Sequence, residues 1–116
     1  MTPEDHVPVT QDEFRAWALG FPEVIEGEHM GHPDFRVRGK VFATLWYPDE
    51  RWGTVKLPPD DQAALIESEP DAFEPCKGAW GRQGATAVRL ARAKKSTLKQ
   101  ALRKAWRRAA PKDLAR

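Results

Sequence analysis

The chain has 116 residues and a single cysteine, Cys76, which is the size of one domain (1–116, core expected at about 10–114) and excludes an internal disulfide or a cysteine-built zinc site. No segment approaches the roughly 20 apolar residues of a membrane span, and the acidic start, Met1 to His6, lacks the apolar run of a signal peptide, so a cytoplasmic protein is expected. The net charge of +2 conceals a segregation: residues 1–76 carry 6 Lys/Arg against 16 Asp/Glu, whereas residues 77–116 carry 13 against Asp113 alone.

Thr10-Gln11-Asp12-Glu13 has the form of a capping box and opens a helix that ends near Gly20, with Phe14, Trp17 and Ala18 on its apolar face. Phe21-Pro22 stops it, and Val24 to Met30 reads as a strand interrupted by Glu26 and Glu28. His32-Pro33-Asp34 reads as a turn stiffened by proline. Phe35 and Val37 then alternate with Arg36 and Arg38 across a strand, Gly39 supplies a tight turn, and Val41 to Leu45 forms a second strand. The product is a β-hairpin with one cationic edge, and Lys40 sits just past its turn. Tyr47-Pro48-Asp49-Glu50-Arg51 is a further turn, and Trp52 to Leu57 extends an antiparallel meander in which Val55 and Leu57 oppose Thr54 and Lys56.

Pro58-Pro59-Asp60-Asp61 starts a second helix, with proline in the first turn and carboxylates at the positive end of the helix dipole; Ala64, Leu65 and Ile66 are expected to pack inward, and Pro70 ends it. Asp71 to Pro75 reads as a turn that drives Phe73 into the core. Gly78, Gly81 and Gly84 bracket Trp80 and Arg82 and are expected to permit bends leading into a strand over Thr86 to Leu90. Ser96 is the expected cap of the last helix, in which Leu98, Ala101, Leu102, Ala105, Trp106 and Ala109 repeat at helical spacing up to Pro111. The order α-β(3-4)-α-β(1-2)-α favours an α+β two-layer sandwich, an antiparallel sheet with helices.

Three stretches, Gly31 to Leu45, Gly78 to Gly84 and Ala105 to Lys112, resemble the MmcQ/YjbR family of small bacterial proteins. The resemblance covers roughly residues 10 to 114. It implies a two-layer antiparallel fold related in architecture to secretion chaperones, and a DNA-binding role likened to a double-wing arrangement. The chain departs from the family pattern at Ala85, where relatives often carry an aromatic residue after the last glycine.

The basic C-terminal third is the main candidate for function. Lys95, Lys99, Arg103 and Arg107 recur at steps of four and form a cationic ridge, with Lys104 and Arg108 beside it; like charges at that spacing repel by a few tenths of a kcal/mol per pair. An anionic partner would relieve the repulsion, and so would pairing with the acidic part of the same chain. Arg36 and Arg38 on the hairpin and Arg82 in the glycine-rich segment could add contacts to phosphates or base edges. The expectation is a non-enzymatic DNA-binding protein using Arg36, Arg38, Arg82, Lys99, Arg103, Lys104 and Arg107. The alternative is a protein-interaction module or homodimer using the sheet face, where Trp46 and Trp52 could pair across a turn. A membrane surface is disfavoured, since no Phe/Leu-rich insertion face is present.

Catalytic and metal readings have little behind them. His29, His32 and Asp34, near Glu26 and Glu28, have no spacing that makes them converge. Gly78 to Gly84 lacks the Gly-Lys-Ser/Thr ending of a phosphate loop. No nucleophile elbow or zinc-protease signature occurs, and Cys76 has no evident base beside it. No catalytic residue, metal or cofactor is therefore expected.

Overall fold

The computed structural model describes residues 7–47 and 49–115; the acidic residues 1–6, Pro48 of the expected turn and the last residue lie outside the described residues. The elements are α1 (Gln11–Leu19), β1 (Val24–His29), β2 (His32–Val37), β3 (Lys40–Leu45), β4 (Trp52–Lys56), α2 (Pro59–Ser68), β5 (Phe73–Pro75), α3 (Gly78–Arg82), β6 (Ala85–Arg89) and α4 (Lys95–Ala109). All strands join one antiparallel sheet in the order β1-β2-β3-β4-β6-β5, giving the α+β architecture. Among the described residues no helix is long and apolar enough to cross a membrane.

The capping box forms as its spacing predicts: the Glu13 amide donates to Thr10 Oγ1 and the Thr10 amide to Glu13 Oε1, both at 3.0 Å. Two hairpins follow, each turning on two residues of positive φ, Met30-Gly31 (51° and 81°) and Arg38-Gly39 (49° and 83°). That geometry matches the right-handed twist of the strands. His32-Pro33-Asp34 is therefore not a turn but the start of β2, paired to β1. Arg38 likewise leaves the strand for the turn, so it does not share a strand face with Arg36.

The alternation of β2 decides the two faces of the sheet. Phe35 and Val37 point to the side covered by α1 and α4, where they meet Phe14, Phe42, Leu45, Val55, Val88, Leu98 and Leu102 in one core. Four fully or almost fully buried phenylalanines, Phe14, Phe35, Phe42 and Phe73, each contribute roughly 2–3 kcal/mol by burial. Phe42 joins this core because β3 is irregular: the register shifts between Phe35 and Arg36, leaving Phe42 as an extra residue. On the other face, Cys76, Ala85 and Ala87 form a smaller cluster under Trp52 and Trp80.

Several sequence expectations are corrected. Ala64 is exposed and Leu65 and Ile66 only half-buried; the buried residue of α2 is Gln62, whose amide donates to the Gly81 and Ala85 carbonyls at 3.0 Å each. Asp71 to Pro75 is not simply a turn, since Phe73–Pro75 pairs with β6 as an edge strand, although Phe73 does enter the core. Gly78–Arg82 is a short helix rather than a bend. Ser96 lies inside α4, whose N-cap is Lys94 with no side-chain cap bond.

The glycines of that segment serve close approach. A Cβ on Gly81 would lie 1.7 Å from the Cys76 carbonyl oxygen, and one on Gly84, at φ +112°, would lie 1.7 Å from the Leu57 carbonyl oxygen. Gly31 has positive φ too, but nothing within 4 Å of its would-be Cβ. Gly84→Ala should therefore cost about 3 kcal/mol or more and Gly31→Ala about 1 kcal/mol. Urea denaturation of the two variants measures the difference, and equal losses would show that φ alone matters at these sites.

Candidate nucleic-acid interface

Helix α4 buries Leu98, Ala101, Leu102, Ala105 and Trp106, so its 3.6-residue period sends Lys99, Arg103, Lys104 and Arg107 to the outside. The ends of the ridge are tied down. Lys95 Nζ reaches Glu13 Oε2 at 2.7 Å, and this contact, with the Thr10 amide, holds the Glu13 carboxyl below its ordinary range. Arg108 donates to the Leu57 and Gln83 carbonyls, which joins the C-terminal turn of α4 to the ends of β4 and α3. Lys99 Nζ sits 5.0 Å from the Trp17 ring centroid, a cation–π placement that fixes the side chain without neutralising it. Lys104 approaches Asp61 at 3.5 Å in an exposed pair, which is worth little. Arg103 and Arg107 are exposed and make no ion pair or side-chain hydrogen bond among the described residues.

The hairpin arginines are engaged elsewhere. Arg36 holds Asp34 with two bonds of 2.7 and 2.9 Å, and Asp34 is only 1% exposed. Gly27 makes room for the pair across β1, since a Cβ there would lie 2.9 Å from Asp34 Oδ1. Arg38 grips Glu23 through Nε and Nη2, both at 2.9 Å, which lowers the Glu23 carboxyl and raises the Arg38 guanidinium. The sequence could show the alternation of these arginines but not their partners, because Glu23 lies 15 residues away and Asp34 two residues along the same strand face. Arg82 is exposed on α3, next to the Gln83 carbonyl that Arg108 engages. The structure thus brings Lys99, Arg103, Lys104 and Arg107 together on one helix face, and leaves Arg36 and Arg38 as internal ion pairs on the hairpin.

The remaining candidates are placed as follows. His29 and His32 are cross-strand neighbours at the first hairpin, but the Asp34 carboxylate turns to Arg36, and no group of three His, Cys, Asp or Glu residues suited to a metal occurs among the described residues. Cys76 is buried, which pushes its thiol up. Trp46 and Trp52 do not stack: the Trp46 indole donates to Gln11 Oε1 at 2.6 Å, and the Trp52 ring lies 4.5 Å from the Arg89 guanidinium. What the sequence reading missed is a cleft of 660 Å³ on the sheet face away from α4, walled by Tyr47 and Trp80 and bordered by Lys56. The signal available was the aromatic pair flanking two polar strand faces, but only the sheet order brings Tyr47 and Trp80 together, with ring centroids 5.8 Å apart.

The YjbR family model matches residues 19–108. The fold is similar to a crystal structure from Deinococcus radiodurans, protein DR2400, which carries a DUF419 domain: the TM-score is 0.74 at 17% identity, over 88% of this chain and 80% of that chain. No curated protein matches the chain.

Because Asp34 is buried, Arg36→Met should strand an unpaired carboxylate and lower the thermal midpoint by more than about 5 °C. Arg51→Met, which breaks the exposed pair with Asp49, should shift it by less than about 2 °C. Calorimetry on both variants checks the contrast. The Glu13 carboxyl titrates below its ordinary 4.5 in the folded protein, so its contribution to stability is present above that value and is lost as pH falls through the lower native one. Lys95→Gln should move the Glu13 titration, followed by NMR, upward; an unmoved midpoint would show that Thr10 alone holds it.

Proposed function

The chain belongs to the YjbR family, and we propose that it is a non-enzymatic DNA-binding protein whose contact surface is the outer face of α4. The observation that carries the reading is the pair Arg103 and Arg107, solvent-facing and without an acidic partner among the described residues, in line with Lys99. Eight residues of helix separate Lys99 from Arg107, about 12 Å of rise, enough to meet several backbone phosphates of a duplex. Burial of the opposite face of α4 holds these side chains in register, and the Trp17 ring under Lys99 limits the entropy lost when that ammonium docks.

Lys104 can exchange its exposed contact with Asp61 for a phosphate, and the exposed Arg82 can assist. Arg36 and Arg38 would have to surrender bidentate carboxylates first, so they contribute less. The contacts in this reading are to backbone charge, and sequence preference is correspondingly weak.

Three phosphate contacts predict a slope of about −3 in log K against log salt for a random duplex. Arg103→Glu with Arg107→Glu should lower affinity more than about 30-fold at low salt while leaving the thermal midpoint nearly unchanged. Fluorescence anisotropy of a labelled duplex at two salt concentrations measures both. Undiminished binding by the double variant would remove α4 as the interface.

A further inference from the structure

Among the described residues, the sheet face opposite α4 is covered by the five residues of α3 and the aromatic rings around it. A cleft of 660 Å³ opens there, and a second of 370 Å³, bounded by Ala105, Arg108 and Ala109 at the C-terminal end of α4, adjoins it and shares Val41, Lys56 and Trp80. Their origin lies in the strand pairing. The β3–β4 ladder runs only from Leu45↔Gly53 to Ala43↔Val55, so toward Lys40 and Lys56 the strands part. Either cleft is within the size range of small-molecule sites.

The lining has a definite chemistry. In the larger cleft His32, Tyr47 and Trp80 form an aromatic wall, with centroids 5.9 and 5.8 Å apart in edge-to-face steps. Two buried polar atoms here, His32 Nδ1 and Thr44 Oγ1, have no hydrogen-bond partner among the described residues. Buried polar groups are rarely left so, and a ligand with a polar edge would satisfy them. The smaller cleft carries Lys40, Lys56 and Arg108 and no acidic side chain. Lys56 Nζ stands 5.7 Å from the Trp80 centroid, at the junction of the two. Among the described residues the one carboxylate lining either cleft is Asp34, already held by two bonds from Arg36.

We infer that the joined clefts bind a small phosphorylated ligand with a planar aromatic ring, of the nucleoside monophosphate type. The ring lies against Tyr47, Trp80 and Val41, its polar edge meets Thr44 and His32, and the phosphate is drawn to Lys56 and Lys40. Three cations without an acid at one end select a dianion over a monoanionic carboxylate, while Arg108 adds field strength from its fixed place on the Leu57 and Gln83 carbonyls. The larger cleft is on the other side of the sheet from α4, and the smaller one meets α4 at Arg108 rather than at the outward ridge of Arg103 and Arg107, so the site is separate from the surface proposed for duplex binding.

The test is titration of the full chain with adenosine monophosphate, adenosine and inorganic phosphate, read by tryptophan fluorescence and by amide chemical shifts. The expected result is tighter binding of the monophosphate than of either fragment by at least about tenfold, with shifts at Thr44, Tyr47 and Lys56. Lys56→Glu and Tyr47→Ala should each weaken it more than tenfold at an unchanged thermal midpoint, and Arg103→Glu with Arg107→Glu should leave it intact. Absence of binding at millimolar monophosphate, shifts that map to the Lys99, Arg103 and Arg107 ridge instead, or a dimer in light scattering that covers Tyr47 would overturn the inference.

Discussion

The stacking of Trp106 on Phe21 fixes the rotation of α4, and most of the molecule's surface chemistry follows from that rotation. The two rings lie 5.6 Å apart and 17° from parallel, Phe21 meets Phe42 edge-on at 6.4 Å, and the Trp106 indole donates to the Pro22 carbonyl at 3.2 Å. Burying an indole and its aromatic neighbours is worth several kcal/mol, an exposed ion pair less than about one. The apolar contacts therefore set the orientation, and the Lys95–Glu13 pair follows it. With Trp106, Leu102 and Leu98 inward, Lys99, Arg103 and Arg107 have no direction available except outward, and Arg108 is carried round to the Leu57 carbonyl.

The same economy of layers explains why the second face of the sheet is different. Helices α1 and α4 cover the face that holds Phe35, Val55 and Val88, α2 packs Leu65 and Ile66 against the same core, and among the described residues the short α3 is the helix left for the other face. Strand residues on that side are consequently mixed: Thr54 and Ala87 are buried, Lys56 and Arg89 lie against Trp80 and Trp52, and Asp34 is neutralised within its own strand. A face that is neither fully packed nor fully solvated leaves recesses, and here they occur where β3 and β4 part.

Local signals made much of the fold legible. Thr10 and Glu13 set the first helix through a bond pattern confined to four residues, and the Leu98 to Trp106 repeat set the last through periodicity. The hairpin was legible at Gly39 because a two-residue turn demands positive φ. What escaped was non-local. The glycines at 81 and 84 look like helix breakers in isolation, whereas their purpose is contact with the backbones of Cys76 and Leu57, and a helix forms between Gly78 and Arg82 all the same. Phe73–Pro75 has too few residues and too much proline to announce a strand, and becomes one because β6 offers an edge. Ser96 carried the expected cap chemistry, but the cap position of α4 falls two residues earlier, at Lys94. For the candidate site, the ridge on α4 was legible and the fate of Arg36 and Arg38 was not, since the partners of a charge depend on register.

That register also decides what the charge asymmetry means. Internal neutralisation of the basic third by the acidic part was a reasonable expectation, yet the acidic part mostly pairs with its own arginines: Glu26 with Arg15, Asp34 with Arg36, Glu23 with Arg38 and Asp49 with Arg51. Only Arg89, Lys95 and Lys104 of the basic third meet acids from the first part among the described residues, and the Arg89 and Lys104 contacts are long, at 3.6 and 3.5 Å. Asp34–Arg36 and Asp49–Arg51 join side chains two residues apart, held near one another at little entropic cost, while Glu26–Arg15 and Glu23–Arg38, 11 and 15 residues apart, depend on the packing of β1 and the hairpin that apolar side chains dictate. The positive charge of the C-terminal third is thereby left at the surface, as a ridge along α4.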